Sequence, residues 1–150
     1  MYHTIVKNIV KKNFERVNQH DYDTLLQDCV PNVKHRFGGN HALGGERNDV
    51  QTLRRWFERL GKVLPQLCLT VTDIWVKGWP QHTTIFVRWR ASMTLANGEP
   101  YENRGVHIIV MKWGKVHSLD VHEDSEAVAK ALRKQAEAGI AEALAPKLES

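Results

Sequence analysis

Cysteine is scarce in this chain, with only Cys29 and Cys68 among 150 residues. A disulfide-stapled secreted scaffold needs more than one possible bridge. Both cysteines sit in apolar surroundings, at the end of an expected helix and within an expected strand, and read as buried free thiols. Long apolar runs are missing too. No segment approaches the roughly 20 residues of a membrane-spanning helix. The start, Met1-Tyr2-His3-Thr4, has none of the pattern of a secretion signal. No membrane association is therefore expected, and the default location is the cytoplasm. An excess of one charge is also lacking. The formal charge is +4, but Lys and Arg are scattered among acids, and doublets such as Lys11-Lys12 and Arg54-Arg55 suit the wet side of a helix. Without a basic run carrying interleaved aromatics, no nucleic-acid partner is expected. Eight histidines show no metal-binding spacing, so neither metal nor other cofactor is expected.

What is present is an ordinary globular composition, 42% apolar and 25% charged in 17.2 kDa, enough for one domain with a core of its own. Ile5, Val6, Ile9, Val10, Phe14 and Val17 recur at helical spacing. Asp21 then caps a shorter helix carrying Leu25, Leu26 and Cys29, stopped before Pro31. Val33 to Phe37 reads as a short strand, and Gly38 to Arg47 as loop. Asn48 with Gln51 makes a capping pair for a third helix, whose stripe is Val50, Leu53, Phe57, Leu60 and Leu64. After Pro65 the period changes to two, and residues 67–77, 83–94, 101–112 and 115–122 are strand candidates. An Ala-rich helix, residues 126–145, closes the chain, with Gly139 marking a bend. The fold class is α+β.

Hairpin turns predict which side chains share a face. A two-residue turn at Asn97-Gly98 places Arg88 opposite His107 and Arg90 opposite Gly105. One face then carries Arg88, Arg90, Ser92, Tyr101, Asn103 and His107. The other carries Ile85, Val87, Trp89, Val106, Ile108 and Val110. At the next turn, a three-residue loop over Lys112-Trp113-Gly114 spares Trp113 a positive φ and sets Leu119 opposite His107. The alternative register sets Asp120 there. Periodicity leaves two arrangements open: the apolar face is the core and the polar face is wet, or the mixed face lines a cavity and the apolar face meets another subunit.

Several segments carry a family resemblance. They are residues 18–23 (NQHDYD), 33–39 (VKHRFGG), 53–57 (LRRWF), Arg88-Trp89-Arg90, residues 101–107 (YENRGVH), and Gly114-Lys115-Val116 through His122-Glu123-Asp124. In order and spacing they resemble the SnoaL-like branch of the nuclear transport factor 2-like superfamily, with its ketosteroid isomerases, limonene epoxide hydrolases and polyketide cyclases. The resemblance covers about residues 5–124. It implies a cone-shaped fold, with three helices packed on a strongly bent, mostly antiparallel sheet around a deep pocket. It also implies homodimers joined through outer sheet faces. Residues 1–124 form the pocket domain, and 125–150 are its C-terminal helical extension.

On this likeness His35 falls at the position of the isomerase general base, and His107 at that of the acidic oxyanion donor. Asn13 stands where that group has a tyrosine, and Val121 where the epoxide hydrolases have an aspartate. Neither catalytic set is complete. The resulting expectation is a cofactor-independent isomerase, cyclase or hydrolase acting on a small, partly apolar molecule. His35 serves as base and His107 as acid, while Arg88, Arg90, Asn103 and Tyr101 position the substrate. Each also has a plain structural reading: a carbonyl-bonded strand histidine, a cross-strand pair, arginines paired with Glu99, Glu102 or Asp120, or hairpin-end residues. Trp56, off the helix stripe, is a pocket-mouth candidate. The competing reading is a non-catalytic small-molecule-binding or dimeric interaction module. The C-terminal helix is expected on the sheet's outer face or on a partner subunit, without a catalytic group.

Overall fold

A computed structural model describes all 150 residues. The apolar spacing of the first segment forms helix α1, Tyr2–Asn18, which buries Val6, Val10 and Phe14. Asp21 caps α2, Tyr22–Gln27, by accepting from the Thr24 amide. This helix is shorter than expected, because Cys29 already belongs to strand β1, Cys29–Phe37. Pro31 is tolerated there because the pairing shifts between Cys29 and Lys34, so no ladder bond is required of it. The expected loop contains a short strand, β2 (Gly45–Arg47), paired with the end of β1. Helix α3, Val50–Val63, is capped by Asp49 through Thr52 rather than by Asn48, and its buried stripe includes Trp56.

Four long strands follow: β3 (Cys68–Trp79), β4 (His82–Thr94), β5 (Pro100–Lys112) and β6 (Lys115–Glu123). The sheet runs β2-β1-β6-β5-β4-β3, antiparallel except where β1 meets β6. Helices α1 and α3 cover its concave side, and α1 is tied to the edge strand by Asn18, which both donates to the Leu69 carbonyl and accepts from its amide. This is the expected α+β cone. No helix is long and apolar enough to cross a membrane. Both cysteines are free, as expected, but neither is buried: Cys29 is half-buried and Cys68 exposed.

Two expectations about register are corrected. Leu95 and Glu99 close a three-residue loop, Ala96-Asn97-Gly98, with Gly98 at φ 88°. Pairing is therefore Val87 with His107, Trp89 with Gly105 and Arg88 with Val106. One residue of slip turns the whole of β5 over relative to β4. The concave face carries Ile85, Val87 and Trp89 beside His107 and Asn103, and the outer face carries Arg88 and Arg90 beside Val106 and Arg104. The supposed apolar patch is split between the two sides. At the second turn Trp113 does adopt a positive φ, 51°, in a two-residue turn. A bulge at Val110–Met111 restores the parity, so Val121 faces His107 and Asp120 pairs with Ile108 on the outer side.

The last helix, α4 (Ser125–Glu137), stops well short of the expected residue 145: Gly139, φ 104°, breaks the chain direction where only a bend was expected, and a 3-10 turn, Ala141–Leu144, follows. It does not lie on the outer face. Val128, Ala131, Leu132 and Gln135 are buried as it closes the open end of the cone. Gln135 accepts from the Ala96 amide and donates to the Val63 carbonyl, both at 2.8 Å. Arg59, 6% exposed, binds Glu142 and the carbonyls of Ala42 and Pro146. Replacing Gln135 with Leu leaves two backbone groups without partners, which costs roughly 1–3 kcal/mol each when they stay buried. A urea denaturation series should therefore show Gln135→Leu destabilised by at least about 1 kcal/mol.

Candidate functional site

The bent sheet and its helices enclose a cavity in which the centres of water-sized molecules have about 110 Å³. One water needs roughly 10–15 Å³ of such space, so several waters or one small organic molecule would fit. Of 28 residues around it, 23 are hydrophobic, and the other five are Asn13, His35, Asn103, His107 and Glu123. Polar groups that face such a space act at low dielectric, where each hydrogen bond counts for more than in water.

His107 points inward because of the β4–β5 register. The Trp89 indole Nε1 donates to its Nδ1 at 2.7 Å. An indole N–H can only donate, so Nδ1 offers a bare lone pair and the ring proton sits on Nε2. No protein atom accepts from that Nε2. Phe14 packs edge-on against the ring, with centroids 5.1 Å apart. Burial lowers the His107 pKa to about 4, so the ring is neutral at pH 7. Gly105, Trp89's cross-strand partner, makes this possible: a Cβ there would come within 2.5 Å of the indole Cζ2.

His35, 2% exposed, follows the same logic on β1. Its Nδ1 lies 3.2 Å from the Arg47 guanidinium, which has only donors, so Nε2 again holds the proton. Burial, the Arg47 charge and His107 together hold its pKa well below 6.5. With its one lone pair engaged, His35 is a hydrogen-bond donor rather than the expected base. Arg47 is wholly buried; it also donates to the Gly44 carbonyl and lies 5.5 Å from the Trp56 ring centre. Burial lowers even this guanidinium, to about 10. Sequence reasoning missed Arg47, since Gly38 to Arg47 read as loop.

The other predicted residues divide. Val121 lines the cavity, paired with His107. Trp56 is a wall rather than a mouth: it is 4% exposed, donates to the Leu43 carbonyl and packs on His35 with ring centres 4.4 Å apart. Tyr101 is buried and accepts from Asn103 Nδ2 at 2.9 Å. Asn103 reaches the cavity, but its amide also exchanges bonds with the backbone of Asp124, the cap of α4. Arg88 and Arg90 lie outside. Arg88 pairs with Asp73 at 3.3 Å and sits over Trp75, and Arg90 is exposed. They cannot position a molecule in the cavity, and Arg88 does not face His107.

Glu123 is the inward-facing residue that the sequence reading passed over. The alternation Leu119, Val121, Glu123 along β6 was its signal. Burial raises its carboxyl pKa above the usual value. No cluster of three or more metal-ligating side chains occurs.

Two outcomes follow from the buried neutral imidazoles. Below pH 6.5 the unfolded chain binds protons that folded His107 refuses until about pH 4, so this group removes stability as pH falls through that window. Thermal melts of His107→Gln should lose less stability than wild type between pH 6.5 and 4. The Trp89 bond favours the neutral ring, so Trp89→Phe should raise the His107 pKa from about 4 while burial keeps it below 6.5. A histidine NMR titration reads both values.

The SnoaL-like domain family matches residues 10–119. No relative is found among curated protein sequences. Solved structures share the fold at low identity. Bal32a, from a soil-derived mobile gene cassette, superposes with TM-score 0.70 at 16% identity, covering 81% of this chain and 91% of its own. SalBIII, an epoxide hydrolase/cyclase-like enzyme of pyran ring formation in the polyether salinomycin, gives 0.67 at 18%, covering 83% and 95%. TerC, co-crystallised with polyporic acid, gives 0.65 at 16%, covering 81% and 93%. The six-stranded cone is also that of nuclear transport factor 2-like proteins, and the chain belongs to the SnoaL-like family.

Proposed function

We propose that the cavity is the active site of a cofactor-independent enzyme, an isomerase, cyclase or hydrolase, doing acid–base chemistry on a small, partly apolar molecule. The observation that carries this reading is the His107 Nε2–H, a donor without an acceptor in an apolar wall. A fixed neutral imidazole N–H suits an oxygen on which negative charge develops, such as that of an enolate or alkoxide. Because Trp89 and Arg47 already hold the two Nδ1 atoms, the donors need no reorganisation as charge appears. His35 adds a second donor, and Val121, Trp56 and Tyr101 shape the space. The polyporic acid co-crystallised with TerC and the part of SalBIII in pyran ring formation support a small-molecule occupant.

The competing reading, a binding module, draws support from the same bonds: both imidazole lone pairs are engaged, and Asn103 is committed to holding α4. The two readings part over an apolar ketone with acidic C–H groups. Incubated with 2-tetralone in D₂O, the enzyme should speed α-proton exchange, the Glu123 carboxylate at the cavity wall taking the proton from carbon and trading it for solvent deuterium; followed by NMR, His107→Phe should slow this by roughly 10²–10³-fold. Binding of 2-tetralone without any exchange would select the module.

We also propose that the outer sheet face joins two copies. Phe86, Val106, Ile108 and Val110 lie there, half-buried within one chain. Wild type should sediment as a dimer at micromolar concentration and Ile108→Asp as a monomer. A monomeric wild type rejects the interface.

A further inference from the structure

With both imidazoles neutral, Glu123 is the one carboxyl among the cavity-lining side chains. Its Oε1 accepts from the Ser125 hydroxyl at 2.6 Å. Its Oε2 is covered, and no protein group donates to it. A buried carboxylate oxygen without a donor is an unmet demand, and proteins rarely leave one unless something else supplies the bond. Tyr101, whose hydroxyl accepts from Asn103, makes no hydrogen bond to the carboxyl, and Gly38 contributes no side chain beside it. Glu123 pairs with Gly105 across the strands, and Val121 with His107. Glu123 and His107 are thus diagonal neighbours on the concave face, their strand positions about 7–8 Å apart.

We propose that Glu123 is the cavity's acceptor for a hydroxyl on its ligand, so that the site selects neutral, mostly apolar molecules bearing a phenolic, enolic or alcoholic O–H. This rests on the reading of the cavity as a small-molecule site. A hydroxyl fits the supply: it brings one donor to one unmet acceptor. An ammonium group would bring three donors and a charge into a wall that is otherwise apolar. Oε2 is covered as it stands, so a ligand hydroxyl reaches the carboxyl by turning it about its soft terminal torsion.

Calorimetric titration with 2-naphthol and 2-methoxynaphthalene tests this, because the two share an apolar body and differ in the O–H. Wild type should bind 2-naphthol at least about tenfold more tightly than the methyl ether, as a bond to a charged acceptor implies. In Glu123→Leu that preference should vanish while the methyl ether binds as well as before. Should the Leu variant fail to fold, Glu123→Gln keeps the shape and should cut the preference to a few-fold. If wild type binds both equally, or keeps its preference in a folded Glu123 variant, the Glu123 assignment is wrong and the small-molecule reading stands. If neither naphthalene binds, both fall.

Discussion

The register of the β4–β5 hairpin is the constraint on which the rest depends. A loop of three residues, not two, decides that Val87 rather than Arg88 faces His107. With a two-residue turn, whichever side held His107 would hold Arg88 and Arg90 as well, and the imidazole could not face an apolar cavity. The observed loop instead places Trp89 where its N–H reaches His107, and Gly105 where the indole needs room. Charge goes to the outside, where Asp73 and solvent receive it. One local backbone choice thereby sets the polarity of the interior.

Within that interior the electrostatics are unusual in kind rather than in strength. Histidine commonly serves as a switch because its charge changes near neutral pH. Here burial moves both rings out of that range, and a donor on each Nδ1 removes the remaining freedom of tautomer. The histidines behave as rigid N–H dipoles, comparable to backbone amides at an anion site. The buried Arg47 supports one of them without a directly paired carboxylate, and its Nε has no partner either.

Much of the architecture was legible in the sequence. Periodicity located the four helices and the five longer strands, though α4 stops at Glu137 rather than bending at Gly139, and the resemblance supplied the cone. The faces were not legible, because Asn97-Gly98 serves two-residue and three-residue loops alike. Asn97 instead turns its side chain to the Glu99 amide and the loop widens by one residue. The second hairpin shows compensation of errors: a turn judged too strained for Trp113 occurs, and a bulge nearby cancels its effect on parity. His35, His107 and Val121 were found through the resemblance. Arg47 and Glu123 were not, since a short strand inside an apparent loop and the last inward residue of a strand leave little local pattern.

The segment after α4 also bears on how the chain is made. Arg59 and the Ala42 carbonyl become buried with α3, yet two of the guanidinium's three acceptors, Glu142 and the Pro146 carbonyl, come more than 80 residues later in the chain. Asn48, just ahead of that helix, waits longer still, for Ser150. On the ribosome these groups emerge early and stand unmatched until residues 142–150 have followed them out. The cone can be drafted as it is synthesised, but its latch is thrown only once that stretch arrives.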